Sequence, residues 1–154
     1  MTKLIKILAI LALLIFMTGC EEKPIGEKVV IKSTKDMDPR LKAYPEAVEW
    51  YKDSDMDKVS AYNLGVIYQN KIKDYYEAIS WYKKAISMGY NKATLGLGNS
   101  YRNLKDYQNS IKWYLLDDSI DSLFNIGLLY NRELKDYQNA IKYYKLAIER
   151  VLNQ

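Results

Sequence analysis

An aromatic pair returns four times along this chain at almost constant spacing. Trp50-Tyr51, Trp81-Tyr82, Trp113-Tyr114 and Tyr143-Tyr144 are separated by steps of 31, 32 and 30 residues. Three residues before each pair stands a small residue: Ala47, Ala78, Ser110 and Ala140. Two further marks keep the same register. Leu64-Gly65-Val66-Ile67-Tyr68, Leu97-Gly98-Asn99-Ser100-Tyr101 and Ile126-Gly127-Leu128-Leu129-Tyr130 form one, and Asp74-Tyr75, Asp106-Tyr107 and Asp136-Tyr137 the other. Self-similarity at this period marks an array of small structural units, each burying its apolar face against its neighbours.

The spacing within each unit is helical. Ala61, Leu64, Gly65 and Tyr68 fall at i, i+3, i+4 and i+7, and Ala78, Ile79, Tyr82, Ala85 and Ile86 repeat the pattern one segment later. A glycine inside a helix costs ~1 kcal/mol. Gly65, Gly98 and Gly127 therefore imply close approach of two helices, with a tyrosine ring filling the space beside each. Asp74, Asp106 and Asp136 are placed to accept hydrogen bonds from the free amides at helix starts, and Asp118 or Ser119 to do so for the third first-type helix. The expected fold is all-α, an antiparallel helix-pair solenoid of seven helices at about 44–53, 57–69, 75–88, 91–103, 107–117, 120–132 and 137–152. The first is an orphan second-type helix; three pairs follow.

The pattern LG-x-x-Y, Asp-Tyr, A-x-x-W-Y-x-x-A-I resembles the tetratricopeptide superfamily, and its Sel-like branch most closely over WYKKAISMGYNKATLGLGNSY, Trp81 to Tyr101. The resemblance runs from about Tyr44 to Leu152. The second-to-first junctions Tyr114 to Ile126 and Tyr51 to Leu64 are shorter than the family's distance, which Tyr82 to Leu97 keeps. In that family the first helix of each pair lines a concave face that holds extended peptides. The resemblance thus implies a groove at Asn63, Asn70, Lys92, Asn99, Arg102, Asn103, Asn125, Asn131 and Arg132. Amides pair with both the N–H and the C=O of an extended backbone, and cations hold carboxylates. An ordinary solvated face carries such residues equally well. Asn63 and Asn125 are expected on one concave surface. Gly96 takes their place in the middle unit, leaving a gap for a ligand side chain, and Asn99 would supply the missing amide.

The first twenty residues follow a different logic. Lys3 and Lys6 precede an uninterrupted apolar run, Ile7 to Met17, and then Thr18-Gly19-Cys20. A basic start, a short apolar stretch and small residues before a cut have the layout of a secretory signal. A spanning helix needs ~20 apolar residues, more than this run offers. Met17-Thr18-Gly19-Cys20 resembles the bacterial lipobox, with Met in place of the usual Leu. The resemblance implies cleavage before Cys20 and acylation of its thiol and new amino group, hence a lipoprotein held by two or three acyl (palmitate-like) chains, which suffices for stable anchoring. The expected organisation is 1–19 signal peptide, 20–40 lipidated Cys and flexible tether, and 41–154 repeat domain. Val29 to Ile31 would make at most a short strand. Glu21 after the Cys slightly favours the outer membrane, facing the periplasm; the cell exterior is the other possibility.

Composition limits the chemistry. The chain has no His and one Cys, so Ser-His, Cys-His and His-zinc arrangements are excluded, and no catalysis, cofactor or metal is expected. Asp53-Ser54-Asp55-Met56-Asp57 begins like a calcium loop, but Lys58 and Leu64 stand where such a loop needs Gly and Glu, so capping is the reading. Glu46 and Glu49 lie in repeat helix and read as surface. Of 23 basic and 19 acidic residues, Lys3 and Lys6 belong to the signal segment. That leaves 21 against 19, a balance that argues against nucleic acid. The Trp-Tyr ladder offers a stacking platform for sugar or peptide, or simply packing between helices; the packing reading is preferred. Two functions remain open: an envelope adaptor binding protein or peptide in its groove, and a structural subunit of an envelope complex held by its end helices. An envelope hydrolase is the distant third. The chain stops on a second-type helix with Tyr143, Leu146, Val151 and Leu152 uncovered, so weak self-association or docking of this end is expected.

Overall fold

A computed structural model describes residues 37–53 and 56–153. The signal segment, Cys20, the tether up to residue 36 and the strand expected at Val29 to Ile31 lie outside the described residues. Among the described residues the chain forms seven α-helices and no strand: α1 Pro45–Lys52, α2 Lys58–Ile67, α3 Tyr75–Ser87, α4 Ala93–Asn103, α5 Tyr107–Asp117, α6 Ile120–Arg132 and α7 Tyr137–Leu152. They agree with the helices expected from the spacing to within a few residues, apart from the end of α2. Each helix packs on the next, and α2 also touches α4, so these two first-type helices adjoin on one side of the stack.

Helix starts are set by side-chain caps. Asp57 accepts from the amides of Val59 and Ser60 at 2.6 and 3.0 Å. Asp74, Asp106 and Asp136 accept from the amides of Glu77, Asn109 and Asn139 at 3.2, 3.2 and 3.1 Å. For α6 the cap is Ser119, whose Oγ accepts from the Ser122 amide at 3.1 Å. Asp118 instead ends α5 in the left-handed region at φ 49°. Three first-to-second turns end the same way on a lysine: Lys73, Lys105 and Lys135 have φ of 63°, 61° and 56°. In each, the following Asp amide reaches back to a carbonyl of the preceding helix, Asp74 to Tyr68, Asp106 to Tyr101 and Asp136 to Tyr130. This closes the helix with its last carbonyls satisfied. After Ile67 the helix widens into one π turn, Tyr68–Ile72, so the first helix of repeat one is longer than the spacing implied.

The chain enters the fold before residue 41. Met37 packs against the core, and Pro39–Ala43 forms a short 3-10 helix capped by Asp38. Arg40 joins Asp38 at 2.6 Å to Asp74 at 2.8 Å and lies over the Tyr68 ring, whose hydroxyl donates to Asp38 at 3.1 Å. Met37 to Arg40 are therefore part of the packed domain rather than of the tether assigned to them.

The core falls into two clusters. The larger runs from Leu41 through α1, α2 and α3 to Leu97, and includes Leu64, Tyr68, Trp81 and Tyr82. The smaller gathers Tyr114, Ile126 and Leu129, with Leu95, Tyr130 and Tyr143 against them. The smaller cluster spans the short α5–α6 junction, with Tyr114 from α5 and Ile126 and Leu129 from α6. There Ser119 and Ser122 hydroxyls donate to the Asp117 carboxylate, and Arg150 of α7 holds Asp118 by its carboxylate at 3.0 Å and its carbonyl at 3.1 Å.

Candidate functional site

The glycines place the rings. A methyl group on Gly65 would stand 2.6 Å from Tyr82, on Gly98 2.6 Å from Tyr114, and on Gly127 2.5 Å from Tyr144. The expected glycine–tyrosine contact thus recurs in all three pairs. Gly96 was read as a gap open to a ligand, and here the structure corrects the reading. A methyl on Gly96 would stand 2.6 Å from Tyr82, so the ring fills the space from its other side. Tyr82 is sandwiched between α2 and α4, with its hydroxyl donating to Gln69 at 2.5 Å. Burial pushes its ionisation well above the ordinary tyrosine range. The aromatic ladder is mostly packing: Trp81, Tyr82 and Tyr114 are buried, while Trp50, Trp113 and Tyr144 are half-buried.

Aligning Leu64, Leu97 and Ile126 puts the first-type helices in one register. Val59, Val66 and Asn70 on α2 and its π turn correspond to Lys92, Asn99 and Asn103 at α4, and to Asp121, Leu128 and Arg132 on α6. These positions lie opposite the buried arc of each helix, and every one is exposed or half-buried. Five of the residues expected in a groove, Asn70, Lys92, Asn99, Asn103 and Arg132, therefore share one open face. Asn63 and Asn125 are half-buried at the place that Gly96 occupies, the seam with the preceding repeat. Arg102 and Asn131 take the register of buried Gln69, the residue that holds a tyrosine hydroxyl. Arg102 acts on Tyr114 by its charge, although burial dominates and raises the ionisation of that ring.

Asn99 does not replace the missing amide in full. Its oxygen accepts from the Tyr114 hydroxyl at 2.6 Å, leaving its NH2 group for a ligand carbonyl. The open face also carries aromatics that periodicity alone had assigned to no role. Tyr62 lies 5.7 Å from Tyr82 and 5.1 Å from Tyr90, and Phe124, in the same register as Tyr62, lies 5.5 Å from Tyr144. The signal was present in the sequence as an aromatic directly after Ala61 and directly after Leu123, but it fell outside the four-fold pair.

Among the described residues there is no cluster of three or more His, Cys, Asp or Glu able to hold a metal ion. Asp57 acts as a cap, and Glu46 and Glu49 are exposed, Glu49 paired with Lys52 at 3.1 Å.

The Sel1 repeat model matches residues 58–90, which are α2 and α3. The tetratricopeptide repeat model matches 92–116 and 120–150, which are α4–α5 and α6–α7.

This chain carries Sel1 and tetratricopeptide repeats.

Both repeat types are typically non-catalytic modules of protein–protein interaction. No curated protein matches the chain. The boundary between the two matches falls at Tyr90–Lys92, inside the Tyr82 to Leu97 seam.

Proposed function

We propose that this repeat protein is a lipid-anchored adaptor of a bacterial cell envelope, which holds a protein or peptide segment along the open face of α2, α4 and α6. One observation carries the reading. Three first-type helices present, in equivalent register, a row of amides and cations, Asn70, Asn103 and Arg132, on a module whose relatives bind proteins. Amides at a repeat interval match the alternating donors and acceptors of an extended backbone, and Arg132 with Lys92 supplies positive charge for a carboxylate. The anchor rests on the lipobox resemblance of Met17-Thr18-Gly19-Cys20. It would set the repeat domain at the periplasmic face of a membrane, the outer one slightly favoured, or at the cell exterior. A second reading, a structural subunit held by its end helices, is supported by the exposed apolar side chains of α7.

Crosslinking in the native envelope, followed by capture of the full-length chain, tests both. The triple variant Asn70→Ala, Asn103→Ala, Arg132→Ala should weaken partner capture by about 1–3 kcal/mol per engaged charged contact and less per amide. Its stability should shift by no more than about 0.5 kcal/mol at each of these accessible positions. Cys20→Ala should release the chain from the membrane fraction or leave an uncleaved precursor. Unchanged capture by the triple variant moves the binding to the end helices. Intact processing and membrane association of Cys20→Ala refute the anchor.

A further inference from the structure

The last described helix, α7, presents a face that the fold itself shows how to cover. In the first pair, Ile79 of α3 is 9% exposed and Ile86 packs into the core, because α4 lies over them. In α7 the residues in the same register are Ile141 and Ile148, which are 55% and 58% exposed. Tyr82 is gripped between two glycines of two helices; Tyr144 meets only Gly127, with Phe124 at its edge. Beside it runs a nearly all-apolar groove of about 400 Å3 lined by Ile120, Phe124, Tyr144, Ala147, Ile148 and Val151. Among the described residues no helix lies over this face.

We infer that a second copy of this chain covers this face, α7 lying antiparallel on α7 about a two-fold axis through the step between Tyr144 and Lys145. The exposed stripe is its own mirror image about that step. Tyr137 and Leu152, 60% and 78% exposed, stand equally far from it, and so do Ile141 and Ile148. An antiparallel pair centred there sets Tyr137 against Leu152 and Ile141 against Ile148, twice over, which is the self-complementarity that a two-fold interface requires. Lys142 and Glu149 share one flank of α7. The two-fold pairing brings the same flanks together and so sets Lys142 of one copy near Glu149 of the other, opposite charges on the rim. Phe124 of each copy, level with Tyr144, closes the seam at the axis. A sixteen-residue helix is about 24 Å long, so the contact is modest and the dimer concentration-dependent.

The test co-expresses two differently tagged full-length copies and captures one tag from detergent extract. Wild-type copies should be recovered together. Ile141→Lys and Ile148→Glu, each at a position more than half exposed, should fold normally by circular dichroism, yet each should cut co-recovery by at least about tenfold through an unpaired charge in the seam. Combining both substitutions in one chain should restore co-recovery, since the antiparallel register sets each Lys against the partner's Glu. Three results overturn the inference: wild-type copies that never co-purify, single variants without effect, or loss by the singles that the double variant does not repair. A different protein lost from the capture, or crosslinks from α7 to residues 21–36 of the same chain without co-recovery, would name another occupant and overturn it too.

Discussion

A single ring measures the spacing between helices in this array. Tyr82 is pinned by Gly65 on one side and Gly96 on the other, so neither glycine can accept a methyl without driving the ring into the opposite helix. Gly65→Ala and Gly96→Ala should each destabilise the chain by about 1–3 kcal/mol, the cost of overfilling a packed site, less whatever helix propensity returns. Gly127→Ala meets Tyr144 at an equal distance, but that ring is only half-buried and can swing outward. There the propensity gain of ~1 kcal/mol should largely offset the contact. Chemical denaturation of the three variants checks this; equal losses at all three sites would mean that the open side of Tyr144 gives no relief. The pairing of each glycine with a tyrosine was legible from spacing alone. The second grip on Tyr82 was not, because Gly96 belongs to the next unit and lies at a place held by Asn63 and Asn125 in the others.

Helix boundaries show how far local rules reach. Asp74, Asp106 and Asp136 could be read as caps because a carboxylate two or three residues before an apolar run has one dominant use. The turn before each was illegible in its geometry. Lysine carries no preference for positive φ, so the recurring Lys-Asp-Tyr did not announce that Lys73, Lys105 and Lys135 are left-handed. The π turn at Tyr68–Ile72 likewise has no sequence mark of its own. Since a side chain in this region carries a steric penalty that glycine avoids, Lys73→Gly, Lys105→Gly and Lys135→Gly should each stabilise the chain by about 0.5–1 kcal/mol after glycine's greater unfolded-state freedom is subtracted. Thermal melts of the single and triple variants check the sign and its additivity. A drop in melting temperature would mean that the lysine side chains hold contacts worth more than the strain. In the groove the same limit applied. The family resemblance placed Asn70, Asn103 and Arg132 on one face, while the seam positions of Asn63 and Asn125 follow from how repeats nest, which one repeat's period does not contain.

Across the whole molecule, cohesion is uneven. The buried core divides between α4, whose Leu97 belongs to the larger cluster, and α5, whose Tyr114 joins Ile126 and Leu129 of α6 in the smaller. In a linear array each unit is stabilised only by its neighbours, so a weak seam separates cooperative blocks. The three tryptophans all report on the larger cluster: Trp81 is buried in it, and Trp50 and Trp113 pack against it. Unfolding in urea should therefore begin earlier by far-ultraviolet circular dichroism, which sees α6 and α7, than by tryptophan fluorescence. Coincident transitions would show that the seam couples the blocks fully.

The Arg40 bridge has a mechanical consequence. It ties the point where the chain enters the fold to Asp74, thirty-four residues further on. A pull on the chain upstream of Met37 does not simply peel α1 from the end of the stack. The load passes through Arg40 and Asp38 to the start of α3 and to Tyr68, and so is shared across the first pair before α1 is strained. Below about pH 4 this sharing fades. The guanidinium holds both carboxyls below the usual carboxylate range, so the bond is complete above the unfolded value of ~3.9 and is lost as pH falls through the lowered folded values. In acid, the same pull would find α1 as the first element to give way.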